Sequence, residues 1–254
     1  MNILVYGAGV IGSVYAARLQ EAGYNVSLLA RGQRAVSLRT QGILLEDAST
    51  GHRTSTQVSL VDHLAPTDSY DVVIVTVRLD QLTSILPVLA ANHQIPTILF
   101  LLNNPDGMQR LEMLEPHRVL LGFPSIGGSR QGEVVRYTHH PALARTTLGK
   151  EDGRVTPRLR QLATAFKKAG FSVALLGMAI LATAGAYDMR TFRSSPEAPD
   201  ATHSVMQESH GIRRFKTPEQ KKLFVSLNIV GAVTFAVGAT LLILHSHLNK
   251  RDAS

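Results

Sequence analysis

The feature that most constrains this chain is its opening. Asn2 to Tyr6 (NILVY) is a short apolar run, the length of a buried parallel strand. It passes directly into Gly7-Ala8-Gly9-Val10-Ile11-Gly12, and then into Val14, Ala16, Ala17 and Leu19 at helical spacing before Gly23. Strand, glycine turn and helix in this order form the first unit of a dinucleotide-binding α/β fold. Gly7 permits a tight turn, Gly9 lets backbone approach a pyrophosphate, and Gly12 lets the helix pack closely on the strand. The helix N-terminus adds free N–H groups and the positive end of a dipole. A glycine turn of purely architectural purpose is the competing reading. Gly7, Ala8, Gly9, Val10, Ile11 and Gly12 are therefore the first candidate cofactor contacts.

The next strand selects among dinucleotides. After Asn25 to Leu29 (NVSLL) the chain continues Ala30-Arg31-Gly32-Gln33-Arg34, with no acid in that stretch. An Asp or Glu there would hold a ribose 2′-hydroxyl, whereas a guanidinium pairs with a 2′-phosphate through charge-assisted bonds. Arg31 thus points to NADP rather than NAD, against the plainer reading of Arg31 and Arg34 as solvated charges opening a helix. The alternation continues with strands at Gly42 to Asp47 and Thr54 to Leu60, read as a hairpin excursion. Asp71 to Val77 follows as a central strand, then a helix from Leu79 to Ala91 and a strand from Pro96 to Leu102. Ligands in open sheets of this type lie beyond the carboxyl ends of the strands. That places Arg78, Asp80, Gln81, Asn103 and Asn104 among the candidates.

The segments NILVYGAGVIGSVYAARLQEAGYNVSLLARGQR, VVIVTVRLDQ, ILFLLNNPDG and LLGFPSIGGSRQGEVVRYTHH resemble, in order and spacing, the ketopantoate reductase (2-dehydropantoate 2-reductase) family over roughly residues 1–175. The resemblance implies a Rossmann-type doubly wound sheet and an NADP cofactor. It also implies hydride transfer from NADPH to the ketone of a small 2-oxo acid. It assigns Arg31 to the 2′-phosphate, Arg78 to the place of a family lysine near cofactor and substrate, and Asn104 to a family asparagine. Pro105 stands where a glycine usually follows. Asn103 joins the cofactor contacts. Thr138 to His140 and Pro141 to Lys150 would be later strands of the same sheet, Thr156 to Ala169 a covering helix, and Phe171 to Leu175 a further strand.

Beyond residue 175 the resemblance stops. The family's helical substrate domain, with its general-acid lysine, is not recognisable. Residues 176–222 read as a basic linker, including the polar, proline-containing stretch Ser194 to His210. Leu223 to Leu248 holds 26 residues without Lys, Arg, Asp or Glu, bracketed by Lys221-Lys222 and Lys250-Arg251. That exceeds the roughly 20 residues needed to cross a bilayer, and the run contains the small residues common in membrane helices. The expectation is a single transmembrane helix, with the dinucleotide domain in the cytoplasm. The competitors are an oligomerisation helix, or a substrate-domain helix with Lys222 as the general acid.

Composition closes off other classes. The 254 residues include no cysteine, which excludes disulfides, thiolate metal sites and a cysteine nucleophile. Met1 to Tyr6 is too short for the apolar core of a secretory signal. The net charge of +7 is unevenly spread: residues 1–150 carry 12 Lys/Arg against 11 Asp/Glu, and residues 151–254 carry 14 against 8. The basic part has few interleaved aromatics, so nucleic acid is not an expected partner. His139-His140 and His245/His247 are poorly spaced for one metal, and Ser125 reads as a turn residue rather than a nucleophile. The expected partner is a small 2-oxo acid, with a homodimer left open. The alternative is a catalytically inactive or truncated NADP-binding, membrane-associated module.

Overall fold

The computed structural model describes residues 1–102, 107–139 and 145–175, together with the backbone of two strands at 205–209 and 212–216. Its organising element is β1 (Asn2–Tyr6), whose alternate side chains go to opposite faces as strand geometry requires. Ile3 and Val5 join one buried cluster, and Leu4 and Tyr6 join another. Both faces of the sheet are therefore covered, which explains why the central strands β6 (Val72–Val75) and β7 (Ile98–Leu101) are apolar and buried at all eight positions.

The main sheet is completed by β2 (Asn25–Leu29), β5 (Ser59–Val61), β8 (Val119–Phe123), β11 (Thr146–Gly149) and β12 (Val173–Leu175). Its order is β12-β11-β8-β7-β6-β1-β2-β5, parallel throughout except where β11 meets β8. β1 pairs with β2 on one side and β6 on the other, so the direction of winding reverses at β1. That is the doubly wound sheet expected, with the glycine turn at its switch point.

α1 (Val10–Glu21) lies between this sheet and a second, four-stranded one. The second sheet has the order β4-β3-β10-β9, built from β3 (Ile43–Asp47), β4 (Arg53–Thr56), β9 (Ile126–Gln131) and β10 (Val134–His139). Ile43, Leu45, Ile126, Val135 and Tyr137 bury against the same cluster as Val14, Ala17 and Leu19 of α1. Covered on two sides, α1 buries every residue from Gly12 to Ala17. On the opposite face of the main sheet, α3 (Leu79–Ala91) contributes Leu82, Ile85, Leu86 and Leu89, the one-faced pattern its sequence predicts. α4 (Pro157–Lys168) begins where Thr156 accepts a hydrogen bond from Leu159 N–H, with Pro157 at the first helical position.

Two expectations are corrected. Thr54 to Leu60 is not one strand: residues 54–56 pair antiparallel with Ile43–Leu45, whereas Ser59–Val61 pairs parallel with β2 in the main sheet. One continuous strand cannot serve two partners of opposite direction in different sheets. Thr138 and His139 do not extend the main sheet either, because they end β10 in the second sheet, opposite Gly127 and Ile126. Among the described residues of the later run, Thr146–Gly149 joins the main sheet.

Residues 1–178 form one compact unit and residues 179–254 another. In the second, β13 (Val205–Ser209) and β14 (Ile212–Lys216) make an antiparallel pair within the stretch read as linker. Among the described residues no helix is long and apolar enough to cross a membrane. The 223–248 run and Lys222 lie outside the described residues.

Candidate functional site

The site is built on the glycine turn. Gly7 has a φ of +123°, a region that side chains other than glycine rarely adopt. Thr76, just past β6, donates from Oγ1 to the Gly7 carbonyl at 3.0 Å and so ties the turn to the neighbouring strand. Gly12 is required sterically: a Cβ there would lie 1.9 Å from the Gly7 carbonyl oxygen and 2.5 Å from Thr76 Oγ1.

Gly9 differs from both. Its φ of −76° is ordinary, and a Cβ built on it meets nothing within 4 Å. The fold itself would accept a side chain at this position. The open space lies at the N-cap of α1, where no side chain caps the helix and no acidic residue occupies its first turn. Backbone N–H groups and the positive dipole end are thus turned to a space that a Cβ would fill, an arrangement that suits an anionic group such as a pyrophosphate.

Arginines follow the strands on both sides of this turn. Arg31, after β2, is exposed at the N-cap of α2 (Gly32–Gln41) and donates from Nε to the Asp62 carbonyl at 2.8 Å. Arg78, after β6, is exposed at the N-cap of α3 and donates from Nε to Asp80 Oδ1 at 3.1 Å. Gln81 accepts at Oε1 from the Arg78 backbone N–H. The sheet order therefore brings Gly7 to Gly12, Arg31 and Arg78 to one edge. β7 runs toward the same edge beside β6, but Asn103 and Asn104, which follow it, lie outside the described residues.

Arg34 has a different place from Arg31. Its guanidinium is mostly buried, pairs with Glu133 at 2.8 Å and reaches Ser13 Oγ at 3.3 Å. It links α2, α1 and the β9–β10 turn. Ser125 sits between β8 and β9, where its Oγ is 2.9 Å from Thr146 Oγ1, and its N–H faces Tyr15 Oη at 3.4 Å. Burial pushes the Tyr15 phenol above its usual range, although its hydrogen bonds to Thr146 and Ser125 act in the opposite sense. Neither a base nor a nucleophile is arranged there. His139 packs its ring edge-on against Phe171, and no group of three or more His, Asp or Glu among the described residues could hold a metal.

Reading along the chain missed Thr76 and Asp62. The only signal for Thr76 was a hydroxyl closing an otherwise apolar strand. Asp62 has no local signal, because it reaches Arg31 only through the pairing of β5 with β2.

The family description "Ketopantoate reductase PanE/ApbA" matches residues 3–153. A 2-dehydropantoate 2-reductase from Nostoc sp. is 28% identical over 182 residues, covering 68% of this chain and 55% of the relative. The chain spans about half the length of the curated relatives it matches. Among solved structures, 2-dehydropantoate 2-reductase from Methylococcus capsulatus superposes with a TM-score of 0.63 at 24% identity, covering 76% of this chain and 62% of that one. D-mandelate dehydrogenase, solved with NADH and anilino(oxo)acetate, gives 0.60 at 16%, covering 78% and 62%. These two share the fold. The family match covers more than half of the chain and includes the glycine turn, Arg31 and Arg78, and the protein therefore belongs to the ketopantoate reductase family.

Proposed function

We propose that this protein binds NADPH at the glycine turn and reduces the ketone of a small 2-oxo acid of the ketopantoate type. The observation that carries the reading is the space at Gly9, which the fold does not need and an approaching pyrophosphate does. Gly7, Ala8, Gly9, Val10, Ile11 and Gly12 would hold the pyrophosphate through backbone N–H groups, and Arg31 the 2′-phosphate, with Asn103 a further cofactor contact. The cofactor, when bound, supplies the hydride. Arg78 offers a fixed cation at the edge where substrate would enter, suited to a carboxylate or to negative charge developing on the ketone oxygen. Asn104 would orient substrate by hydrogen bonding, and Lys222 would donate the proton to that oxygen.

The family relationship and the 2-dehydropantoate 2-reductase relatives support this reading. The family match ends at residue 153, which favours a second one: an NADP-binding module without turnover. NADPH oxidation with ketopantoate, alongside an NADPH-binding titration on the full chain in detergent, separates them. Turnover supports the reductase, and binding without turnover supports the module. Absence of binding would leave the glycine turn as architecture only. An R31A variant should lose NADPH affinity about tenfold or more with little change for NADH, since charge-assisted bonds to phosphate are worth roughly 1.5–3 kcal/mol. Equal loss for both cofactors would refute the 2′-phosphate assignment.

The 26 uncharged residues at 223–248 further support membrane attachment through one helix, with residues 1–175 on the cytoplasmic side. Partition of the full chain into the membrane fraction, resistant to high salt and alkali, is the expected result. Sedimentation of the detergent-solubilised chain would decide the homodimer.

A further inference from the structure

The amino ends of β7 and β8 form a second concave site, on the edge of the main sheet opposite the glycine turn. Ile98 pairs with Val119, so Thr97 and Arg118 enter the two strands side by side. Gly149 of antiparallel β11 pairs with Leu121, which brings Lys150 level with Leu120. α4 begins at the same edge with Pro157 and Arg158. Together these residues line a cavity of about 380 Å³, within the range of small-ligand sites. Four basic side chains line it, His117, Arg118, Lys150 and Arg158, and no acidic one does.

Two of these cations are anchored close together. Arg118 is only 3% exposed; its Nε donates to the Ile95 carbonyl at 2.8 Å and its Nη2 to the Asn92 carbonyl. Arg158 Nη1 donates to the Pro96 carbonyl at 3.0 Å, so the two guanidiniums hang on consecutive residues of one loop. Arg118 Nη1 makes no hydrogen bond among the described residues. Its acid neighbour, Glu115, lies 3.6 Å away and also faces His117 and His93 at 3.8 Å. The Arg158 N–H is likewise left over among the described residues. Pro157 has no donor, Thr156 Oγ1 takes the Leu159 N–H, and the Thr156 carbonyl takes that of Arg160. Lys150 shares Asp152 with Arg154, so the acids around the cavity serve more cations than they balance.

We propose that this cavity binds a phosphorylated small molecule, its phosphate on Arg118, Arg158 and Lys150 and its apolar body against Leu120 and Pro157. A dianion beside two guanidiniums relieves their mutual repulsion, and planar guanidinium forks match phosphate oxygens. The donors are already held by main-chain carbonyls, so little side-chain freedom is lost on binding. The apolar part of the lining favours an organic phosphate over the inorganic ion. The site is separate from the proposed cofactor edge, since the whole of β7 lies between them.

Calorimetric titration of the full-length chain in detergent, with phenyl phosphate and with inorganic phosphate, tests this on wild type, K150M/R158Q and R31A. Arg118 stays in place because its loss would also release the Ile95 and Asn92 carbonyls. Arg158 is exposed, so R158Q alone serves if the double variant melts early. The wild type should bind phenyl phosphate about tenfold more tightly than inorganic phosphate, the scale of burying part of a ring. K150M/R158Q should lose about tenfold or more for phenyl phosphate, and R31A should stay within about twofold of wild type. Equal affinity for the two phosphates overturns the organic ligand and leaves the ion as occupant. A loss in R31A with none in K150M/R158Q moves the phosphate to the glycine turn and overturns the site. Absence of saturable binding by the wild type overturns it as well, whatever NADPH does.

Discussion

At the scale of single residues, Gly12 and Gly9 of the turn make separable predictions. Gly12 is fixed by contact with backbone, so G12A must displace both the Gly7 carbonyl and the Thr76 hydroxyl, or shift α1 away from them. Its expected cost is about 1–3 kcal/mol of overpacking, seen as a lower melting temperature with or without cofactor. G9V adds a side chain to open space at an ordinary φ. It should cost the free protein about 1 kcal/mol or less while weakening NADPH at least tenfold. A G9V protein that binds NADPH like the wild type would show that the turn takes no ligand. The roles of Gly7 and Gly12 were legible in the sequence because they depend on neighbours a few residues away. The Asp62 carbonyl that meets Arg31 was not, since 31 positions and an excursion through the second sheet separate the two along the chain. Arg34 was legible only as a charge near Arg31. Its burial depends on Glu133, which a different β-turn delivers.

At the scale of elements, that Arg34–Glu133 pair carries more than the local geometry of α2. Ser37 Oγ donates to the same Glu133 carboxylate, and Arg34 also reaches Ser13, so one acid joins the β9–β10 turn to α1 and α2. The Ser37 hydroxyl first, and Arg34 after it, hold the Glu133 carboxyl below the usual range. A carboxyl depressed in the folded state contributes stability above its unfolded pKa of about 4.3, and that contribution disappears as pH falls through the lower folded value. E133Q should therefore melt below the wild type at neutral pH, and the gap should narrow as the pH is lowered below that unfolded value. Thermal melts across that range check it, and a gap as wide in acid as at neutrality would exclude an ionised Glu133 as its source. The same elements show why strand periodicity alone misassigned β4 and β5. Thr54 to Leu60 reads as one extended run, and nothing local marks where it leaves one sheet for another. The unpaired edge of β2 captures Ser59–Val61, and that edge exists only in the assembled sheet. α3, whose partners all lie on one side, was legible to the residue.

At the scale of the whole molecule, the proposed cofactor edge and the proposed proton donor belong to different stretches of chain. Every buried apolar residue of the two core clusters lies between Ile3 and Phe171, within the compact unit of residues 1–178. The glycine turn, Arg31 and Arg78 lie in the same unit, so a chain ending at Met178 is expected to fold and, on the proposed reading, to hold a dinucleotide. Such a chain should bind NADPH within about threefold of the full-length protein, because binding follows from pre-formed backbone geometry rather than from residues further on. Turnover is expected to divide differently. If Lys222 supplies the proton, the full-length K222A protein should keep the NADPH affinity of the wild type and lose turnover with ketopantoate. The shortened chain should then bind and not react. Loss of NADPH binding on shortening would mean that residues after 178 contribute to the cofactor edge itself, so that holding the cofactor and using it are not separable along the chain.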